Sequence, residues 1–261
     1  MEDDQGRITL NEHPIALIPD AKPVKDKIKQ LNPAQLKDLQ SQVEEWEENG
    51  IVRESKSPWG SGMVPVLKKG STASWQWRVD YCGVNKLSID DTFPLPDKNP
   101  NQLSHSKVFS VLDSCGAFHT VPLSEDSKHY TAFVSPLGHY EFNYLPFGLK
   151  NATGSYSRLV DKALAHLPPN FALSYVGKII VHSANVQEHV GHLRAVLEAH
   201  VKYGMKFELH KCLVAQSKID YLGHRISAAG VRQGRLGPPK GEPRTGGSGP
   251  ARVRRHINQL P

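Results

Sequence analysis

The chain has 261 residues, 38% of them hydrophobic, enough for one large domain or two small ones with real cores. No apolar run is long enough to cross a bilayer, and the opening M-E-D-D-Q-G-R-I-T-L is acidic and polar, which excludes a membrane span and a secretory leader from the reading. The formal charge of +6 lies wholly in residues 232–261, which hold seven Lys and Arg and one acid, while residues 1–231 carry 25 basic and 25 acidic side chains. Any nucleic-acid groove in the globular part must therefore come from local placement of Lys and Arg, not from a general excess.

Residues 1–31 read as an extended lead segment punctuated by Pro14, Pro19 and Pro23. Asn32-Pro33 caps a helix whose Leu36, Leu39, Val43 and Trp46 share one face and which Asn49-Gly50 ends. Short strands follow at 51–54 and 63–67, a turn at Lys68-Lys69-Gly70-Ser71, and a returning strand at 75–81. Residues 108–113, V-F-S-V-L-D, are a buried-type strand ending on an acid. Residues 130–134 and 139–144 flank S-P-L-G, a hairpin signal. A helix at about 151–166 stops at Pro168-Pro169. Strands at 172–176 and 179–182 then enclose a two-residue turn, Gly177-Lys178. An amphipathic helix at 187–203 ends at Gly204, and a last hairpin is expected from 205–209 and 219–227. Residues 231–261 hold six Gly and five Pro from position 232 onward, and read as a disordered basic tail.

This order of elements is that of a split βαβ α+β domain. It sets Asp113 at the end of a central strand, with the 172–182 hairpin able to lie beside it. Carboxylates gathered at such a place hold paired Mg²⁺ ions, each preferring about six oxygen ligands. The hairpin turn is where those acids are wanted, and the residues there are a glycine and a lysine. The three cysteines, Cys82, Cys115 and Cys212, are odd in number and widely spaced, as in an intracellular protein of cytoplasm or nucleus with reduced thiols. His189 and His192 stand at i,i+3 on a helix, but no further ligands lie at zinc-site spacing.

Several stretches together carry a resemblance: A-K-P-V (21–24), G-I-V-R-E-S-K-S-P-W-G-S (50–61), V-D-Y (79–81), F-P-L-P (93–96), F-S-V-L-D (109–113), P-L-S-E-D-S-K-H-Y-T-A-F (122–133), L-P-F-G-L-K-N-A (145–152), H-L-R (192–194), K-C (211–212) and Y-L-G-H (221–224). In order and spacing they resemble the reverse transcriptase domain of gypsy-like LTR retrotransposons over residues of about 12–231. The resemblance implies a right-hand polymerase fold of fingers and palm, the palm a split βαβ unit with an antiparallel sheet. It places the fingers at about 32–89 and 121–150 and the palm at about 90–120 and 151–230, with the thumb absent. It implies RNA-directed DNA polymerase activity with Mg²⁺, a template–primer of RNA or DNA and deoxynucleoside triphosphates as partners; no membrane is implied and no protein partner is named.

The family's hairpin carries Tyr–apolar–Asp–Asp, where this chain has Tyr175-Val176-Gly177-Lys178. Asp113 matches the remaining metal-binding and catalytic aspartate, so one carboxylate of three is left and the formal charge of the trio goes from −3 to 0. The family's fingers arginine after Trp is here Gln76, and its Arg after Asp-Tyr is Cys82. The resemblance assigns substrate-binding roles to Lys69, which reaches the triphosphate, to Phe118, which excludes a ribose 2′-hydroxyl, and to Phe147 in the loop lining the nucleotide pocket. The expectation is a reverse transcriptase domain with its chemistry disabled. The alternative is a non-catalytic remnant that binds nucleic acid or a protein partner.

Overall fold

The computed structural model describes residues 7–8, 11–68, 70–71, 74–93, 100–114, 116, 118–168, 170–175, 177–221 and 223–233. Lys69 and the tail from residue 234 onward lie outside them. In chain order the elements are α1 (Pro33–Glu48), β1 (Val52–Glu54), β2 (Ser61–Leu67), β3 (Trp75–Val79), α2 (Cys82–Leu87), β4 (Val108–Asp113), α3 (Glu125–Lys128), β5 (Phe133–Ser135), β6 (Gly138–Phe142), α4 (Ala152–Leu164), β7 (Ala172–Tyr175), β8 (Lys178–Ser183), α5 (Val186–Lys202), β9 (Leu213–Gln216), β10 (Lys218–Tyr221), β11 (His224–Ser227) and β12 (Gly230–Gln233).

They build three sheets. A five-stranded sheet runs β1-β6-β5-β2-β3, antiparallel except where β2 meets β5. A four-stranded antiparallel sheet runs β7-β8-β4-β9, and a three-stranded meander runs β10-β11-β12. α1 begins as the sequence dictates: Asn32 accepts from Gln35 N at 2.8 Å and the Gln35 side chain returns to Asn32 N, a complete capping box with Pro33 at the first turn. Its Leu39, Val43 and Trp46 are buried, whereas Leu36 stays exposed. The Trp77 indole on β3 donates to Asp38 at 2.8 Å, tying the five-stranded sheet to α1.

Three expectations are corrected. The strand expected at 75–81 ends at Val79, and the chain turns at 80–81 into the short helix α2. Gly83 is required there, since a Cβ would stand 2.7 Å from Val24. Residues 205–209 and 219–227 do not pair with each other. β9 lies instead on the free edge of β4, with Val111 opposite Leu213, and 218–227 forms its own hairpin. Finally, the meander continues through β12 to Gln233, past the boundary expected at 230, because the 224–227 strand has a second edge to satisfy.

From residue 11 onward the lead segment is tied to the rest of the fold by single β-bridges, His13 to Leu123, Leu17 to Ser88 and Lys25 to Gly60. The buried His13 shares a hydrogen with Ser155 of α4 at 2.6 Å. In the five-stranded sheet, the buried Glu141 accepts from Arg53 Nε at 2.8 Å and from Ser55 Oγ at 2.6 Å. Arg53 is 41% exposed and keeps Glu125, so Glu141→Ala leaves chiefly the Ser55 hydroxyl without its acceptor and should lower stability by about 1–2 kcal/mol. A urea unfolding midpoint shift at constant slope measures it; an unchanged midpoint contradicts the assignment. Among the described residues, no helix is long and apolar enough to cross a membrane.

Candidate functional site

β4 and β8 run antiparallel in unbroken register from Val108 opposite Ser183 to Asp113 opposite Lys178. Tyr175 also stands opposite Lys178, on β7. Lys178 is therefore the first residue of a strand, not part of a turn. The two-residue connection is 176–177, of which Gly177 is described, with φ +82°. That left-handed backbone is comfortable for glycine and strained for most other residues. The Gly177 carbonyl accepts from Ser114 N at 2.8 Å, which fixes the tip of the hairpin against the end of β4. Directly opposed residues in an antiparallel pair hold their Cβ atoms about 4.5–5.5 Å apart, so the aspartate and the lysine are neighbours by register.

The surroundings of Asp113 are mostly cationic. Its backbone carbonyl accepts from Glu208 N at 2.8 Å and its amide meets Cys212 Sγ at 3.4 Å, so the chain entering β9 is bound to the end of β4. Burial pushes the Asp113 carboxyl above its usual range, and Glu208 adds to this; Lys178, Lys211 and His210 oppose it. Glu208 is itself occupied, pairing with Lys211 and, at 3.2 Å, with His210.

A cleft of about 310 Å³ opens beside these residues. Val111, Ile180, Leu213 and Ile219 give it an apolar wall. Lys178, Lys211, Lys218 and Arg225 give it four cations against two acids, Asp113 and Asp220. Arg225 is held by Asp220 through two bonds, at 2.9 and 3.2 Å.

Phe118 and Phe147 are brought together. Their rings meet edge to face with centroids 5.0 Å apart. Phe147 is 44% exposed, and Phe118 is half-buried. The sequence did not point to Tyr156 of α4. It packs 5.9 Å from Phe118, lies behind Gly177 and Lys178, and is near enough to Asp113 for the two to interact electrostatically. Burial pushes its hydroxyl up to about 12. Its signal in the sequence is only its place one turn into a helix that packs on the hairpin. Gln76 lies on an exposed face of β3 and accepts from Arg78 at 3.2 Å, so a guanidinium sits two residues along from the position where the sequence lacks one.

Whether this site suits a pair of divalent ions is decided by its donor set. Among the described residues Asp113 offers the only carboxylate at the β4–β8 junction, an ammonium faces it in register, and Glu208 is engaged by two basic side chains. Among the described residues no group of three or more His, Cys, Asp or Glu is arranged to hold a metal. The residues present do not fit a two-ion carboxylate cage.

An antiparallel sheet with two helices behind it, its hairpin tip set against an aspartate-ended central strand, and a second sheet reaching away from it define the fingers and palm of a polymerase. Residues 66–226 match the model of the family described as reverse transcriptase (RNA-dependent DNA polymerase), and the chain belongs to that family. It is similar to the retrovirus-related Pol polyproteins of two Drosophila melanogaster transposons. Identity is 31% to that of transposon 297 over 75% of this chain, and 33% to that of transposon 412 over 76%. It spans less than a fifth of those relatives, 19% and 16% of their lengths. The enzymatic polyprotein of cauliflower mosaic virus (strain NY8153) is 30% identical over 81% of the chain, which spans 32% of it. Among solved structures, the foamy viral protease-reverse transcriptase in complex with RNA/DNA hybrid superposes with a TM-score of 0.77 at 22% identity, over 87% of this chain and 30% of that one.

Proposed function

We propose that this gypsy-type reverse transcriptase domain keeps the polymerase framework and a nucleic-acid-facing palm, but has lost template-directed nucleotidyl transfer. The observation that carries the reading is the register of β4 on β8, which sets Lys178 against Asp113 where the family has a carboxylate. A transition-state loss of about 5.5 kcal/mol lowers a rate by a factor of about 10⁴. Electrostatic clamping of the transferring phosphoryl group supplies much of such catalysis, and here two of the three acids that would organise it are replaced. Phe118, Phe147 and Tyr156 are read as the surviving wall of the nucleotide pocket, and Lys69 as its phosphate contact. The foamy viral relative in complex with RNA/DNA hybrid supports a template–primer duplex as the partner.

The test is primer extension by the purified chain with Mg²⁺ or Mn²⁺ against an Asp113→Ala control. No incorporation above that control is expected. Extension clearly exceeding it defeats the proposal. Binding of the same duplex should weaken steeply as salt rises, because phosphate contacts release counterions. Binding indifferent to salt argues for a protein partner instead.

A further inference from the structure

We propose that a chain of serine and histidine side chains between α5 and the edge strand β9 is a proton-operated latch: a proton taken up by His192 reverses the chain and loosens β9 from β4. The latch does not use the Asp113 carboxyl, and it stands whether or not that site has chemistry.

Its direction follows from counting hydrogens. Ser110 on β4 is fully buried, and its Oγ accepts from the Ala215 amide at 3.0 Å. Its one hydroxyl hydrogen therefore goes to His189 Nε2, 2.7 Å away. His189 is itself buried and meets Ser183 Oγ through Nδ1 at 2.9 Å. With Nε2 an acceptor, the neutral ring carries its hydrogen on Nδ1 and donates to Ser183. Ser183 in turn donates to His192 Nδ1 at 2.8 Å. His192 is held by stacking on Phe171, with centroids 4.2 Å apart and planes 11° from parallel. Run this way, every hydrogen between Ala215 and His192 has an acceptor.

A proton from solvent can reach the half-buried His192 and adds to Nδ1, the atom that had accepted from Ser183. Ser183 must then accept from His192 and turn its own hydrogen to His189 Nδ1. The His189 hydrogen exchanges from Nδ1 to Nε2 and points at Ser110, so one proton is gained in all, at His192. Ser110 now accepts from both His189 and Ala215. Its own hydrogen has lost its acceptor, and among the described residues Ser110 has no other partner. A buried donor left unpaired is costly, and lifting β9 relieves it by admitting water.

The cost falls where β9 is weakest. Phe109 stands opposite Gln216 and Val111 opposite Leu213, so Ser110 faces two residues of β9, a bulge. One of them, Ala215, holds φ at +53°, a left-handed backbone that alanine adopts only under strain. All four residues of β9 are exposed. The charges around the latch are few. Of the elements packed on α5, β8 contributes His182 and β4 contributes Ser110. On α4, Arg158 is paired with Asp91, Asp161 accepts from Ser174 and Lys162 reaches Asn11. On α5 itself Glu188, one turn before His192, is exposed. Among the described residues only histidines of this cluster act electrostatically on His182 and His189, and burial holds both below the usual range.

The experiment is nitrogen-15 NMR of the histidine rings in the full chain, with amide hydrogen exchange, from pH 7.5 to 6, a window spanning the ordinary histidine value of about 6.5. At pH 7.5 His189 should carry its hydrogen on Nδ1 and His192 on Nε2. As His192 takes up its proton, His189 should change tautomer with the same midpoint. The protection factor of the Ala215 amide should fall about tenfold, the size of one unmade buried hydrogen bond. Amides of β2 and β3 should keep their protection. Ser183→Ala cuts the chain: His192 should still titrate, while His189 and Ala215 no longer follow. His192→Phe keeps a ring on Phe171 and should leave Ala215 equally protected across the window. Thermal melts check that each variant is folded; where Ser183→Ala is not, His192→Phe decides. Three results each overturn the inference: a His189 hydrogen already on Nε2 at pH 7.5, a His192 that stays neutral until the chain unfolds, or equal loss of protection at Ala215 and in the five-stranded sheet. Primer extension has no bearing on any of these outcomes.

Discussion

Restoring both acids, by Gly177→Asp together with Lys178→Asp, should make the fold depend on divalent metal where the parent does not. In EDTA the double variant should melt well below the parent. Two causes add. The attraction between Asp113 and Lys178 becomes a repulsion between carboxylates held in cross-strand register; at an effective dielectric near 20 each such term is worth about 3–4 kcal/mol before screening. An aspartate must also adopt the φ of +82° that Gly177 has, at roughly 1 kcal/mol, aspartate tolerating that region better than most residues.

Millimolar Mg²⁺ or Mn²⁺ should then recover much of the loss. An ion that binds only the folded state stabilises it by about 2.7 kcal/mol at a hundred times its dissociation constant, or on the order of 5–10 °C for a chain of this size. The parent should show a metal-induced shift near zero. Melting curves of both proteins with and without metal decide it. An equal response in parent and variant would mean that the Asp113 site never depended on residues 177 and 178.

Acid should unfold this domain unusually early, because it buries neutral histidines. His13, His119, His182 and His200 are all pushed down to about 4, in each case chiefly by burial. His182 uses Nδ1 on Ser106 at 2.8 Å and His200 donates from Nδ1 to the Val196 carbonyl at 2.8 Å; among the described residues the buried Nε2 of each has no hydrogen-bond partner. Among those residues no carboxylate acts on either ring. A group whose pKa is lower folded than unfolded contributes stability in full above the unfolded value of about 6.5, and loses it as pH falls toward 4.

Each such ring sets a slope of up to about 1.4 kcal/mol per pH unit across that window. Several rings titrating together match the whole stability of a typical domain, about 5–15 kcal/mol, before pH 4 is reached. Melting temperature should therefore be flat from pH 8 to 7 and fall steeply below 6. His200→Phe keeps the ring contact with Phe207, whose centroid is 4.7 Å away, and should make the fall shallower. A melting temperature that stays level down to pH 5 would show that these rings exchange protons without resistance from the fold.

Much of the architecture could be read from local pattern. The strand Val108–Asp113 was legible to the residue, because a short run of β-branched and aromatic residues ending on an acid has few alternatives. The helices at 33–48, 152–164 and 186–202 were legible from their caps and periodicity. Errors gathered where a choice depends on a distant partner. Leu213–Gln216 reads as an indifferent segment with every residue exposed, and becomes a strand only because β4 has a free edge. The strand expected to reach residue 81 stops at Val79, and the helix α2 after it packs Gly83 against Val24 of the distant lead segment.

The site divides the same way. Residue identity alone determined that this family member lacks two acids and bears a lysine in their place, since charge is a property of composition and order. Only the tertiary structure decided that Lys178 begins a strand opposite Asp113, that Tyr156 closes the space behind it, and that Lys211, Lys218 and Arg225 gather around one cleft. Those facts follow from which strand edge meets which, and edges some hundred residues apart in sequence are joined by long-range pairing that no local window contains.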